Sequence, residues 1–295
     1  MALLQTETSQ GEGAAIDQRP PAEALRVMAD QQAAAIQSLH AAIPALARAA
    51  EAVAQTVENG GRLTYVAAGS SGLMALADAA ELTGTFGIPQ AQIQVFMAGG
   101  VPSDAVMPGA TEDDTAAAEA VLADLTPGDL ILALSASGGT PYTCHVAEGA
   151  RRLGATVVSI ANNPDTRLLR AAQIPICLET PPEVLAGSTR MGAGTAQKAA
   201  LNLISTLAGS LLGHIFEGHM VNVLADNTKL RARTARMVAQ ITGAPAAQSE
   251  AALTQTEGRA KPAILIASGA SPSDAASLLE THKGHLGPAL AALQT

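Results

Sequence analysis

Tryptophan is absent from this 295-residue chain, and aromatic residues, three Phe and two Tyr, make up only 2 % of it. With 48 % hydrophobic residues a large core is expected, built from Ala, Leu, Val and Ile, which suits helices lying close against a sheet. The missing aromatics also exclude a base-stacking platform, and a net charge of −9 repels phosphate backbones, so no nucleic-acid partner is expected. One small phosphate is not excluded, since its binding depends on local donors. Cysteine is scarce: Cys144 and Cys177 stand alone, outside any CxxC or Cys/His spacing. Structural zinc and a disulfide framework are therefore not expected, and a reducing compartment is. The apolar run around residues 201–212 carries Asn202, Ser205, Thr206 and Ser210 and is short for a membrane span. The N-terminal segment lacks a basic stretch followed by an apolar one. A cytoplasmic protein with no membrane partner is the expectation.

Between its punctuation the chain alternates two periodicities. Residues 1–21 are polar and read as an arm. Residues 22–57 read as an Ala-rich helical stretch interrupted near Pro44, with Leu39, Ile43, Leu46 and Val53 at helical spacing. After Asn59-Gly60-Gly61, short β-rich runs are predicted at residues 63–67, 93–97, 130–134, 156–160 and 174–177. Helices are predicted between them at about 72–83, 113–124, 141–153 and 165–172. That alternation predicts an α/β fold with a doubly wound parallel five-stranded sheet and flanking helices. Two long helices, about 191–213 and 217–240, follow, and then three or four short ones. The expected divisions are an arm with helices (1–57), a ligand-binding domain (58–243) and a small helical C-terminal domain (244–295).

Two loops after predicted strands carry the binding signal. They are Ala68-Gly69-Ser70-Ser71-Gly72 and Ser135-Ala136-Ser137-Gly138-Gly139-Thr140-Pro141, each leading into a helix. Glycine permits close backbone approach, hydroxyls donate, and a helix N-terminus presents free N–H groups, so such loops can cradle a phosphate. Ser and Gly also simply cap helices. Two matching loops on equivalent strand ends favour a ligand. No Walker sequence and no GxGxxG follow the first strand, so a sugar phosphate fits better than a nucleotide. Ser70, Ser71, Ser137 and Thr140 are the candidate phosphate ligands.

The loop pair resembles the sugar isomerase (SIS) fold. Pro182-Glu183-Val184-Leu185-Ala186-Gly187-Ser188-Thr189-Arg190-Met191-Gly192-Ala193-Gly194-Thr195-Ala196-Gln197-Lys198 resembles the signature of the N-acetylmuramic acid 6-phosphate etherases and the related glucokinase regulatory proteins. Asp78-Ala79-Ala80-Glu81, Thr85-Phe86-Gly87, Ala98-Gly99-Gly100 with Glu112-Asp113, and Asn227-Thr228-Lys229-Leu230 extend the likeness over nearly the whole chain. The resemblance implies a homodimer without a cofactor or metal that cleaves the D-lactyl ether of N-acetylmuramic acid 6-phosphate. The products would be N-acetylglucosamine 6-phosphate and D-lactate. It further implies Glu81 as acid and Glu112 as base, with Glu183, Ser188, Arg190 and Lys198 adding to substrate binding. Elimination needs paired groups in opposite protonation states. Burial of Glu81 in an apolar helix would favour its protonated form, and a helix start at Glu112 would favour a charged one. Where the family usually carries Arg, Arg and Lys, this chain has Leu73, Gly139 and Gly192. Those losses leave room for a non-enzymatic sugar-phosphate sensor, and a sugar-phosphate isomerase, which would also remove a C2 proton, is a further alternative. His282 and His285 have no further ligands nearby in sequence, and His145 and Tyr142 read as packing residues.

Overall fold

The computed structural model describes residues 4–8, 15–104 and 106–294; the rest of the expected arm, residues 1–3 and 9–14, lies outside them. The chain divides into two compact units, Met1–Ala80 with Gln90–Leu207, and Glu81–Pro89 with Ala208–Thr295.

The first unit opens with α1 (Pro21–Gln37) and α2 (Leu39–Glu58). Strands β1 (Leu63–Ala67), β2 (Ile93–Met97), β3 (Leu130–Leu134), β4 (Thr156–Ala161) and β5 (Ile174–Cys177) form one parallel sheet in the order β2-β1-β3-β4-β5. Every residue of β1 and β3 is buried, as strands covered by helices on both faces must be. On one face Val66, Ile131, Ala133 and Val157 pack with α4 (Thr115–Ala123), α5 (Pro141–Arg152) and α6 (Arg167–Ala171). Helix α2 packs on β1, β3 and β5. Helices α3 (Gly69–Phe86) and α7 (Gly192–Leu211) complete the elements, each passing into the second unit at its C-terminal end.

Two buried carboxylates in this unit are paired, Asp78 and Asp129. The Asp78 carboxylate accepts from Tyr65 Oη at 2.8 Å, Asn202 Nδ2 at 2.8 Å and Ser205 Oγ at 3.0 Å, tying β1, α3 and α7 together. At the opening of β3, burial would raise the pKa of Asp129, but the Arg62 guanidinium and the N–H groups of Thr126 and Arg62 overcome it and hold the carboxyl at about 2. The folded value lies below the ordinary 3.8, so the unfolded chain binds the extra proton first. The stabilisation is complete above pH 3.8 and is lost as the pH falls toward 2. Chemical denaturation across that window should give a steeper acid loss for wild type than for Asp129→Asn.

In the second unit the segment expected as one helix from 217 begins instead as a hairpin, β6 (Ile215–Phe216) and β7 (His219–Met220). Glu217 and Gly218 turn it with φ of 46° and 75°. Helix α8 (Thr228–Thr242) starts only at Asn227, whose side chain accepts from Leu230 N. It packs on α9 (Ala246–Gln255) and α10 (Ala260–Ala267), and α11 (Pro272–Thr281) and α12 (Leu286–Leu293) follow. Thus α8, placed by sequence in the ligand-binding domain, shares a core with the C-terminal helices through Met237, Val238, Leu253, Ile264 and Leu265. The N-terminal break falls at Ser38, between α1 and α2, rather than near Pro44, which α2 accommodates internally.

Candidate functional site

The chain places β2 on one side of β1 and then β3 on the other, so the strand order reverses between β1 and β3 while all strands stay parallel. A crevice beyond the carboxyl ends of the strands at such a reversal is where open α/β sheets bind ligands. Both Ser/Gly loops are there.

The first loop becomes the opening turn of α3, which begins at Gly69 with φ of 54°. Ser70 is half-buried and Ser71 buried, and among the described residues neither hydroxyl has a partner. In the second loop the hydroxyls are wired to one another. Ser135 Oγ lies 2.8 Å from Thr140 Oγ1 and 3.3 Å from Ser137 Oγ, and accepts from Gly138 N at 3.1 Å. Ser137 Oγ accepts from Gly139 N at 3.2 Å. Gly138 has φ of 69°, and a Cβ there would lie within 2.5 Å of Thr166 side-chain atoms, so only glycine fits. Ser135 was not singled out from the sequence, yet it is the buried residue that orients Ser137 and Thr140.

Glu112 links the two loops. Its backbone carbonyl accepts from Tyr142 N at 3.0 Å, at the start of α5. Its Oε1 lies 3.1 Å from where a Gly69 Cβ would be, at the start of α3. The sequence placed Glu112 at the N-terminus of its own following helix. That helix, α4, starts three residues later and is capped by Asp114, whose side chain accepts from Ala117 N at 3.0 Å. The helix end beside the Glu112 carboxylate is that of α3.

Glu81 differs more. It lies on α3 twelve residues beyond Gly69, about 18 Å of helical rise. It is exposed, not buried as expected, because the apolar face of α3 runs through Ala75, Ala79, Leu82 and Phe86.

Glu183 is 1 % exposed and fully occupied. Its Oε2 accepts from Gly192 N at 2.9 Å and Gln31 Nε2 at 3.2 Å, and its Oε1 accepts from Ala193 N at 2.8 Å. It caps α7. At Gly192 a Cβ would meet Gln31 Nε2 at 2.1 Å, so the Gln31 amide occupies the space a side chain would need. Ser188 is half-buried in the loop before α7, Arg190 is exposed beside it, and Lys198 is exposed two turns into α7.

A short N-terminal segment reaches these loops. Thr6 is buried, its Oγ1 accepting from Asn163 Nδ2 at 3.1 Å while Asn163 Oδ1 accepts from Gln5 N at 2.8 Å. Asn163 also donates to Ala136 O at 2.9 Å, and Gly187 N donates to Thr6 O at 3.0 Å. The segment thus joins the β3 loop to the 185–190 loop, and brings Glu7 Oε2 to 3.1 Å from a Cβ position at Gly187. Asn163 and its neighbour Asn162, which accepts from Gln197 Nε2 at 2.9 Å, follow β4 with no local motif to mark them.

A family model described as the SIS domain matches residues 28–162. N-acetylmuramic acid 6-phosphate etherases are similar over almost the full length. That of Streptomyces avermitilis is 41 % identical over 295 residues, covering 99 % of this chain and 95 % of its own. That of Deinococcus radiodurans is 40 % identical, covering 95 % and 93 %. Among solved structures, a putative phosphosugar isomerase involved in capsule formation from Bacteroides fragilis aligns with TM-score 0.53 at 19 % identity, covering 68 % of this chain and 95 % of its own. An Escherichia coli protein aligns with TM-score 0.51 at 13 % identity, covering 68 % and 97 %. These two show the fold alone.

Proposed function

Because the chain belongs to the N-acetylmuramic acid 6-phosphate etherase family, we propose that it cleaves the D-lactyl ether of that sugar phosphate. The products are N-acetylglucosamine 6-phosphate and D-lactate. The observation that carries the reading is Glu112, a carboxylate set at the start of α3 between two hydroxyl-bearing loops at the sheet's reversal. Ser70, Ser71, Ser137 and Thr140, with the N–H groups opening α3 and α5, hold the phosphate. Glu112 removes the C2 proton of the open-chain aldehyde. Glu81 protonates the departing ether oxygen, and water adds at C3. The enzyme acts in the cytoplasm, in recycling of cell-wall amino sugars.

The enzyme works as a homodimer in which acid and base come from different chains. About 18 Å of α3 separates Gly69 from Glu81, whereas C2 and the C3 ether oxygen are only bonded neighbours apart, a few ångströms. One substrate beside Glu112 therefore needs the Glu81 of a second copy. Leu203 and Leu207, one turn apart on α7 and 49 % and 41 % exposed, offer an apolar strip for that contact.

Release of D-lactate from N-acetylmuramic acid 6-phosphate tests the activity. No release from folded protein removes the substrate assignment and returns weight to a sensor role, with Leu73, Gly139 and Gly192 as the missing cations. Mixing tests the shared site. Glu81→Gln and Glu112→Gln are each expected to be inactive, but unfolded and refolded together they should recover about a quarter of wild-type activity. Half the dimers are then mixed, each with one intact site of two under two-fold symmetry. A mixture as inactive as its parents sinks the shared site.

A further inference from the structure

The second unit contains a cavity of about 870 Å³ that the proposed reaction does not use. Val221, Val223, Leu230, Ile266, Pro272 and Leu279 give it apolar walls. Lys261 also lines it. This side chain is 8 % exposed, and among the described residues its ammonium has neither a hydrogen bond nor an ion pair. Its Nζ reaches the wall at Gly284, 3.4 Å from where a Cβ would stand.

Most of the charges around it are basic. Lys261 is the second residue of α10 and Arg259 is that helix's N-cap, with no acidic residue in the first turn. Two cations thus sit at the positive end of a helix, where a cation is disfavoured and an anion favoured. Arg259 Nε donates to Thr256 O at 3.1 Å and keeps the guanidinium at the cavity rim. His214 is held down at about 4 by burial and by the charges of Lys261 and His285, so basic groups converge here. One carboxylate lines the cavity, Asp226, which is exposed and accepts from Asn227 Nδ2 at 2.9 Å. Burial lowers Lys261 to about 8, which still leaves it mostly protonated at neutral pH.

We infer that this cavity is a second small-molecule site, for an organic anion whose carboxylate or phosphate head meets Lys261 and Arg259 while a short apolar body lies along the walls. Thr83, Gly84 and Gly87 form part of the lining, so the occupant touches α3 within two turns of Glu81.

Calorimetric titration of the full-length protein with hexanoate, hexyl phosphate, hexanol and inorganic phosphate tests this. At least one of the two amphipathic anions should bind, and Lys261→Met, which keeps the stem and removes the charge, should weaken it about tenfold or more. The preferred head group tells carboxylate from phosphate. Binding of hexanol as tight as that of both anions, or anion binding indifferent to Lys261→Met, overturns the site. So does no binding of either amphipathic anion. Should the variant not fold, amine acylation of wild type at about pH 8 gives the same decision. Lys261, one of four lysines, should be shielded by the bound anion as read by mass spectrometry; unchanged labelling rejects the proposal. Neither readout depends on ether cleavage.

Discussion

Glu112→Gln should leave a folded enzyme that releases D-lactate about a thousandfold more slowly, within the range a positioned general base contributes. The amide matches the carboxylate in shape and can still accept a hydrogen bond, but it cannot take the C2 proton at neutral pH. The backbone bond that holds this residue, Tyr142 N to Glu112 O, does not involve the side chain. Glu112 is exposed, so its exchange should move the melting temperature by no more than a surface substitution does. KM should change little, because in the proposed site other groups hold the phosphate. Exchange of the C2 proton with deuterated water separates base from acid. Glu81→Gln should keep the exchange while losing lactate release, whereas Glu112→Gln should lose both. If Glu112→Gln retains exchange at near wild-type rate, the base is another group.

The strands were legible because each is a short β-rich run set between helical stretches. Leu130–Leu134 and Ile174–Cys177 have the bounds their sequence suggests. The hairpin at Ile215–Met220 was not, because its turn places Glu217, a residue with no turn preference, at positive φ within an otherwise continuous pattern. The exposure of Glu81 was readable in principle. Buried residues at 75, 79, 82 and 86 follow a 4-3-4 spacing, and position 81 lies off that face. Reading the helix as apolar all round concealed it. The loops at the end of β1 and β3 were found from Ser and Gly content, but their internal wiring through Ser135 was not. Least legible was the pairing of Thr6 with Asn163, 157 residues apart in the chain, since polar contacts of that range leave no periodicity behind. The Glu112 contact with α3 is of the same kind. The helix expected to begin at Glu112 starts only at Thr115, past it.

Glu183→Ala should be costly for stability rather than for substrate affinity. The carboxylate is buried at 1 % exposure and receives three donors: the first two N–H groups of α7, Gly192 and Ala193, and the Gln31 amide. Removing it strands those donors in a protein interior and takes a negative charge from a helix N-terminus. Two charge-assisted capping bonds and the lost amide partner together amount to about 3–5 kcal/mol. For a chain of this size that lowers the melting temperature by roughly 10 °C. Glu183→Gln keeps the volume and one acceptor oxygen but turns an amide toward helix donors, so it should lose about half as much. A sugar-contacting Glu183 predicts the reverse pattern, a normally stable variant with a raised KM. Thermal unfolding and KM measured on the same Glu183→Gln preparation decide between them. The cap matters to the site in either case, because α7 begins directly after the loop carrying Ser188 and Arg190. Gln31 reaches from α1 to the same carboxylate, in the space beside Gly192 where the related enzymes usually carry a lysine. With the amide there, the cation absent from Gly192 is replaced by a neutral donor that serves Glu183, so in the proposed site the phosphate depends the more on the hydroxyls of Ser70, Ser71, Ser137 and Thr140.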